Sequence, residues 1–237
     1  MHMKAANLIA VVVTSAVGLA SCNGPQGERP LSPRSMFSTG ARYLDDARTL
    51  AIKGTIEFRA DDKFESGDFS LFLSGPDSLS FLIEGPFKVD VFRMVVLPER
   101  AVLHSRDDPQ PLVLEPDGRF RVPEYGIEKL SPSLLGVYAF PQYFLVLAGI
   151  SGSSAGLFAR HRQAQFTAMS TGNGNQVTMT SPESDLVATY RKARSLPGGF
   201  YPSEVEISDR SGNWRITLET EKVRKNARLP DKIWMQD

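Results

Sequence analysis

The sequence predicts a mainly β protein, built on one large antiparallel sheet with a helical interruption. Three observations carry that prediction. From Leu50 onward apolar and polar residues alternate with a period of two. The alternating runs are short and are separated by Gly, Pro, Asn and Asp. One stretch, 132–150, is too long and too evenly apolar for a single strand.

The first residues fix an address rather than a fold. One cation, Lys4, is followed by a small and apolar run from Leu8 to Ala20, the layout of a secretory leader. The run is shorter than the ~20 apolar residues that a membrane span needs. It ends at Leu19-Ala20-Ser21-Cys22, which resembles the lipobox of bacterial lipoproteins. Small side chains at Ala20 and Ser21 admit a peptidase, and Cys22 offers the thiol that takes the lipid. Residues 1–21 are thus expected to be removed and Cys22 to be lipidated. Asn23 in place of aspartate leans toward the outer membrane under the enterobacterial sorting rule, so the expected location is a periplasm-facing membrane surface. Cys22 is the only cysteine, so no internal disulfide can form. Within residues 22–35 the Pro/Gly-rich segment Gly24 to Ser35 reads as a tether, spanning roughly 20 Å on average. Residues 36–237 form one domain, a length suited to a single β fold with a real core.

Within that domain Ser32-Pro33 can open a short helix carrying Met36, Thr39, Tyr43, Leu44 and Ala47 on one stripe. The period then changes to two in Leu50 to Ala60, followed by runs through Phe69, Leu71 and Leu73 and through Leu79, Phe81 and Ile83. Gly75-Pro76-Asp77 marks the turn between them. Further strands are expected at Val89–Leu97, Ala101–Ser105, Pro111–Leu114, Ala164–Ser170, Gln176–Thr180, Leu186–Lys192, Ser203–Ser208, Trp214–Glu221 and Lys232–Met235. Gly172-Asn173-Gly174-Asn175 supplies positive-φ residues for a hairpin. Tight turns between successive short strands imply antiparallel pairing. Pro132 to Ile150 is read as one or two helices lying across the sheet, with Pro141 opening the second at Gln142.

Chemistry-bearing patterns are few. Lys+Arg and Asp+Glu balance at 27 each, so no basic excess points to nucleic acid. His104 and His161 belong to no metal-ligand spacing, and the sequence calls for no metal or cofactor. Gly152-Ser153-Ser154-Ala155-Gly156 matches the G-x-S-x-G elbow of serine hydrolases. The only later histidine, His161, stands seven residues on and leaves no room for the acid between, so a Ser154 hydrolase is a remote alternative. The acid pairs Asp45-Asp46, Asp61-Asp62 and Asp107-Asp108 read as solvated loop or helix-end residues.

The segment Glu84-Gly85-Pro86-Phe87-Lys88-Val89-Asp90-Val91 joins two apolar strands through a Gly-Pro turn with an aromatic at its tip. Together with Lys53-Gly54-Thr55-Ile56-Glu57-Phe58, Val91-Phe92-Arg93-Met94, Leu97-Pro98-Glu99-Arg100-Ala101-Val102-Leu103, Leu147-Ala148-Gly149 and Phe200-Tyr201-Pro202, it resembles the LolA/LolB-like lipoprotein-localisation factors and related lipoproteins. The likeness covers most of residues 36–235 as an order of strands and turns. It implies a strongly curved antiparallel half-barrel of about eleven strands, with a helical lid over a concave apolar face that holds acyl chains. It also implies that an apolar residue at a strand-joining turn touches the membrane. Pro86 and Phe87 match that turn, whereas Lys88 stands where the relatives carry glycine.

These readings give a non-catalytic carrier that takes acylated proteins or free lipids and delivers them to the outer membrane. Its expected lining is Ile56, Phe58, Phe69, Leu71, Phe81 and Ile83, with Leu135, Tyr138 and Phe144 from the lid. Its expected partners are membrane phospholipid, the lipid cargo and a periplasmic LolA-like carrier, and the chain is expected to be a monomer. An envelope-assembly accessory that binds a protein partner is the alternative. Cys22→Ala is expected to abolish labelling of the chain by palmitate in cells, and normal labelling of that variant would refute the anchor.

Overall fold

A computed structural model describes residues 32–36, 47–75, 77–122, 127–144, 146–150, 156–161, 164–172, 176–196, 199–230 and 233–234. Cys22, the tether before Ser32 and Ser154 lie outside the described residues. The helical turn at 33–36 opens as the sequence predicts. The backbone N–H of Ser35 donates to Ser32 Oγ at 3.1 Å and that of Met36 to the Ser32 carbonyl at 2.8 Å. Met36 is fully buried. Residues 37–46, with the rest of the predicted stripe up to Leu44, lie outside the described residues.

Six strands follow in a meander: β1 (Thr49–Ala60), β2 (Lys63–Ser74), β3 (Leu79–Glu84), β4 (Asp90–Val96), β5 (Ala101–Ser105) and β6 (Asp108–Leu114). A separate two-stranded ribbon, β7 (Phe120–Val122) and β8 (Ile127–Leu130), leads to helices α1 (Pro132–Ala139) and α2 (Pro141–Phe144). The chain then returns as β9 (Val146–Ile150), β10 (Gly156–His161), β11 (Ala164–Thr171), β12 (Gln176–Thr180), β13 (Leu186–Leu196), β14 (Gly199–Asp209) and β15 (Trp214–Lys225). The large sheet has thirteen strands in the order β6-β5-β4-β3-β2-β1-β15-β14-β13-β12-β11-β10-β9, with every neighbouring pair antiparallel. β1 and β15 pair along their length, from Leu50 opposite Lys225 to Ala60 opposite Trp214, and so join the two meanders.

The strong curvature follows from what α1 touches. Tyr190 on β13 donates its hydroxyl to the Tyr138 carbonyl at 2.8 Å, and the Tyr138 ring meets Phe166 of β11 edge-on at 5.7 Å. On the other meander, a Cβ at Gly136 would overlap a methyl of Leu79 on β3, so the helix backbone rests directly against that side chain. In a flat sheet β3 and β11 would be about 34 Å apart, seven strand spacings of ~4.8 Å. A helix of eight residues is only ~12 Å long and ~10 Å wide. It reaches both meanders because the sheet bends around it, as an open half-barrel with the helix on the concave side.

Alternation places one face of each strand in that interior. Leu50, Ile52 and Ile56 of β1, Leu71 and Leu73 of β2, Met94 and Val96 of β4, and Ile216 and Leu218 of β15 all join one buried cluster. The outer face of β13 to β15 is charged. Arg191 donates to Glu206 at 3.0 Å and Glu204 at 3.3 Å, and Arg215 pairs with Glu206 at 3.5 Å. The outer row Ser80–Val95–Val102 differs, with exposures of 2, 0 and 1 %. That stretch of sheet is covered on both faces, which explains why the Met94-Val95-Val96 run does not alternate.

The expected open antiparallel half-barrel is present, its large sheet holding thirteen strands, of which β9 and β10 were not among those read from the sequence. Two expectations are corrected. Val146–Ile150 is β9 and not the end of a helix, since an evenly apolar run fits a buried strand as well as a helix and periodicity cannot separate them. Lys232–Met235 was expected as a strand, yet Ile233 and Trp234 lie in a helical turn, with the Ile233 N–H on the Pro230 carbonyl at 3.1 Å. The segment cannot pair back onto β15, which is already flanked by β14 and β1.

Burial pushes the Tyr138 hydroxyl up to about 12 and raises Tyr190 in the same direction. A folded-state value above the ordinary ~10 means that the fold holds these protons more tightly than the unfolded chain does. Their contribution is complete below about pH 10 and is lost as pH rises through the folded values. Tyr190→Phe strands the Tyr138 carbonyl and is expected to cost about 1–3 kcal/mol in denaturant unfolding near neutral pH. It is also expected to shrink the stability loss of the wild type between about pH 9 and 12.

Candidate functional site

The nine side chains expected to line a cavity come together in or against one cluster. Phe69, Leu71 and Phe81 are 2–4 % exposed, Ile56, Leu135 and Phe144 are 6 % exposed, and Tyr138 is fully buried. Phe58 and Ile83 pack against the cluster from its margin, half-buried. Adjacent strands place Phe69 opposite Ile83 and Leu71 opposite Phe81, and the Phe69 and Phe81 rings lie 5.8 Å apart. These side chains fill the concave face between them. Entry of an acyl chain there requires that α1 and its partners move.

α1 is placed by sequence at both ends. Pro132 occupies its first turn, where the missing N–H is no loss, and the Phe140 N–H closes its end on the Gly136 carbonyl at 2.9 Å. Seven of its eight residues are buried, so it has no polar face to keep in water. Ser131 and Ser133, nearly buried at its start, are satisfied by one another at 3.2 Å and by Asp117 at 2.6 Å. Two contributors escaped the sequence reading. Tyr190 is fully buried and ties β13 to the lid, and Phe166 buttresses Tyr138. Both sit at inward positions of alternating strands, a pattern that marks core without saying which residue meets a helix.

The second feature is the turn between β3 and β4. Pro86–Lys88 forms a single tight turn, closed by the Gly85 N–H on the Val89 carbonyl at 2.9 Å and the Lys88 N–H on the Gly85 carbonyl at 3.2 Å. Phe87 at its tip is 98 % exposed. Phe87 and Lys88 both adopt left-handed backbone, with φ of 62° and 59°. The position where the resembling family carries glycine therefore has the conformation that favours glycine, and lysine adopts it at a cost of about 1–2 kcal/mol. Lys88 pairs with Asp68 of β2, and the hydrogen bond to that carboxylate is what chiefly raises its ammonium above the usual value. An exposed aromatic on strained backbone is not explained by packing.

The described residues contain no cluster of three His, Cys, Asp or Glu able to hold a metal. His104 lies on β5 and His161 ends β10, near opposite edges of the sheet. No described helix is long and apolar enough to cross a membrane.

No protein-family model matches the sequence, and no curated protein matches it by sequence. Solved structures do match in shape. A LolA superfamily protein from Nitrosomonas europaea superposes with a TM-score of 0.53 at 13% identity, over 87% of this chain and 98% of that one. A DUF1329 family protein from Desulfovibrio piger gives 0.55 at 8% identity, over 82% and 92%. A Vibrio parahaemolyticus domain named for outer membrane lipoprotein sorting gives 0.50 at 9% identity, over 82% and 92%. This chain therefore shares its fold, an open antiparallel half-barrel, with these structures.

Proposed function

We propose that this protein is a non-catalytic carrier, held by a lipid at Cys22 on a periplasm-facing membrane, which accepts acyl chains beneath α1 and delivers them to the outer membrane. The observation that carries this reading is the concave apolar interior of an open sheet, roofed by one short helix. Such an interior can exchange its own packing for an acyl chain at little net cost, since both are apolar. Delivery needs no cofactor or energy source, because a chain leaving the protein for a bilayer runs down a difference in affinity. Phe87 is the membrane-contact residue in this scheme, with Pro86 setting the turn and Lys88 facing headgroups. Cargo reaches the protein from a periplasmic LolA-like carrier, as an acylated protein or as free lipid.

A second reading takes support from the packed interior. If α1 stays seated, the half-barrel is a scaffold that binds an envelope protein instead of a lipid.

The two separate on a mild change. Phe81→Leu is expected to keep the fold and to lower binding of a fluorescent fatty acid to the full chain. If no form of the protein binds such a probe, the carrier reading falls and the scaffold reading takes its place.

Phe87 tests delivery apart from binding. Phe87→Ala is expected to change stability by about 0.5 kcal/mol or less, as at an ordinary surface position, where a core phenylalanine would cost about 3–5 kcal/mol. Phe87→Gly is expected to be slightly more stable than Phe87→Ala, because glycine accepts the left-handed backbone. Both variants should bind the acyl probe normally and pass it to liposomes slowly, and Phe87→Glu more slowly still. Unchanged transfer with unchanged melting temperature would remove the turn from the mechanism.

A further inference from the structure

Beside the Phe87 turn, the first residues of β4 and the last of β5 enclose a groove of about 270 Å³, lined by Asp90, Val91, Arg93, His104, Ser105 and Arg106 together with Phe92. We propose that this groove binds the phosphate of a phospholipid headgroup while Phe87 is in the membrane, a role that rests on the membrane-contact reading of the turn.

The chemistry of the lining points to an oxyanion. Arg93 and His104 stand directly opposite one another on paired strands, and Arg106 follows at the end of β5. Two guanidinium groups supply forked donors suited to phosphate oxygens, and the imidazole adds a single donor. Asp90 is the one acid in the lining. It accepts from an Arg93 Nη at 2.8 Å, which engages one of five donors and steadies the group. The Arg106 N–H donates to the Val91 carbonyl at 3.0 Å, so the walls of the groove are tied together before any ligand arrives.

Position supplies the choice of ligand. Phe87 is 98 % exposed, Val89 is 44 % exposed, and both precede the groove on the same connection into β4. When Phe87 reaches the acyl boundary, residues 90–93 come to the depth of the headgroups, where a membrane keeps its phosphates. The neighbouring β1–β2 tip carries Asp61, Asp62 and Glu65 beside Arg59 and Lys63, all exposed, and so offers an anionic surface no net attraction. Exposed Asp107 and Asp108 flank the groove, so its pull on phosphate rests on Arg93 and Arg106, and the domain is expected to tilt onto the β4–β5 side.

Cys22 is the only cysteine, so Val89→Cys adds one unique thiol for an environment-sensitive dye on the lipidated full chain. With the chain incorporated in phosphatidylglycerol vesicles, the dye reads the ratio of docked to undocked domain. Arg93→Gln with Arg106→Gln is expected to lower that ratio about fivefold per charge removed. In vesicles of a neutral, phosphate-free glycolipid the same pair should make no difference, while Phe87→Ala weakens docking in both. Arg100→Gln, in the β4–β5 turn at the opposite rim, should be silent, and Arg93→Lys with Arg106→Lys should keep most of the docking.

Docking unchanged by the glutamine pair, or lost equally in the lysine pair, overturns the proposal. So does a groove that binds inorganic phosphate without vesicles while docking stays independent of Arg93 and Arg106. Failure of acyl transfer by the wild type, with docking still dependent on the arginines, would remove the carrier reading and leave the groove standing.

Discussion

The fold depends on one contact, the seating of Tyr138 between the two meanders. A sheet of thirteen strands cannot bury its concave face against itself unless it closes, and this one stays open. α1 supplies the missing wall. Through Gly136 it rests on Leu79, through its Tyr138 carbonyl it is bonded to Tyr190, and through the Tyr138 ring it meets Phe166. Curvature, burial of the interior and closeness of β3 to β11 are consequences of the same few atoms. The β1–β15 pairing performs the complementary task on the outside, tying the first and last strands of the domain into one surface.

That arrangement makes the interior conditional. The side chains beneath α1 are as buried as those of an ordinary core, but they are held from one side by a helix of eight residues that is anchored by a buried hydroxyl and by apolar contact. A closed barrel would bury the same residues irrevocably. An open one buries them only while the helix is home, and a site for an apolar guest needs that property. The turn at Phe87 lies at the other extreme, with its conformation costly and its side chain in water.

Eleven of the twelve strands read from the sequence exist, because alternation is a direct consequence of a sheet with one apolar and one wet face. The reading failed where that condition fails. Val146–Ile150 has no polar alternate positions, and Lys232–Met235 has one polar residue followed by three apolar ones. The ribbon of β7 and β8 is too short to establish a period. At the site, the inward positions Phe69, Leu71 and Phe81 were legible as a face, and Phe87 as the tip of a Gly-Pro turn. Tyr190 was not, because its role is a bond to a carbonyl fifty-two residues away in the chain. The groove at Arg93, His104 and Arg106 was hidden for a like reason, since it exists only once β4 and β5 are paired in register.

Register also explains why the barrel stays open. Closure would require the two edge strands, β6 and β9, to hydrogen-bond with each other. β6 carries Pro109 and Pro111 among its seven residues, and neither can donate to a ladder. Leu112 and Val113 follow, 46 and 58 % exposed, on a strand that its prolines protect from adding a neighbour. The remaining edge, β9, has no proline or charge, and alone it cannot close the ring. Two prolines on one short strand thus preserve the gap that α1 covers, and that gap is what separates this interior from the core of a closed barrel.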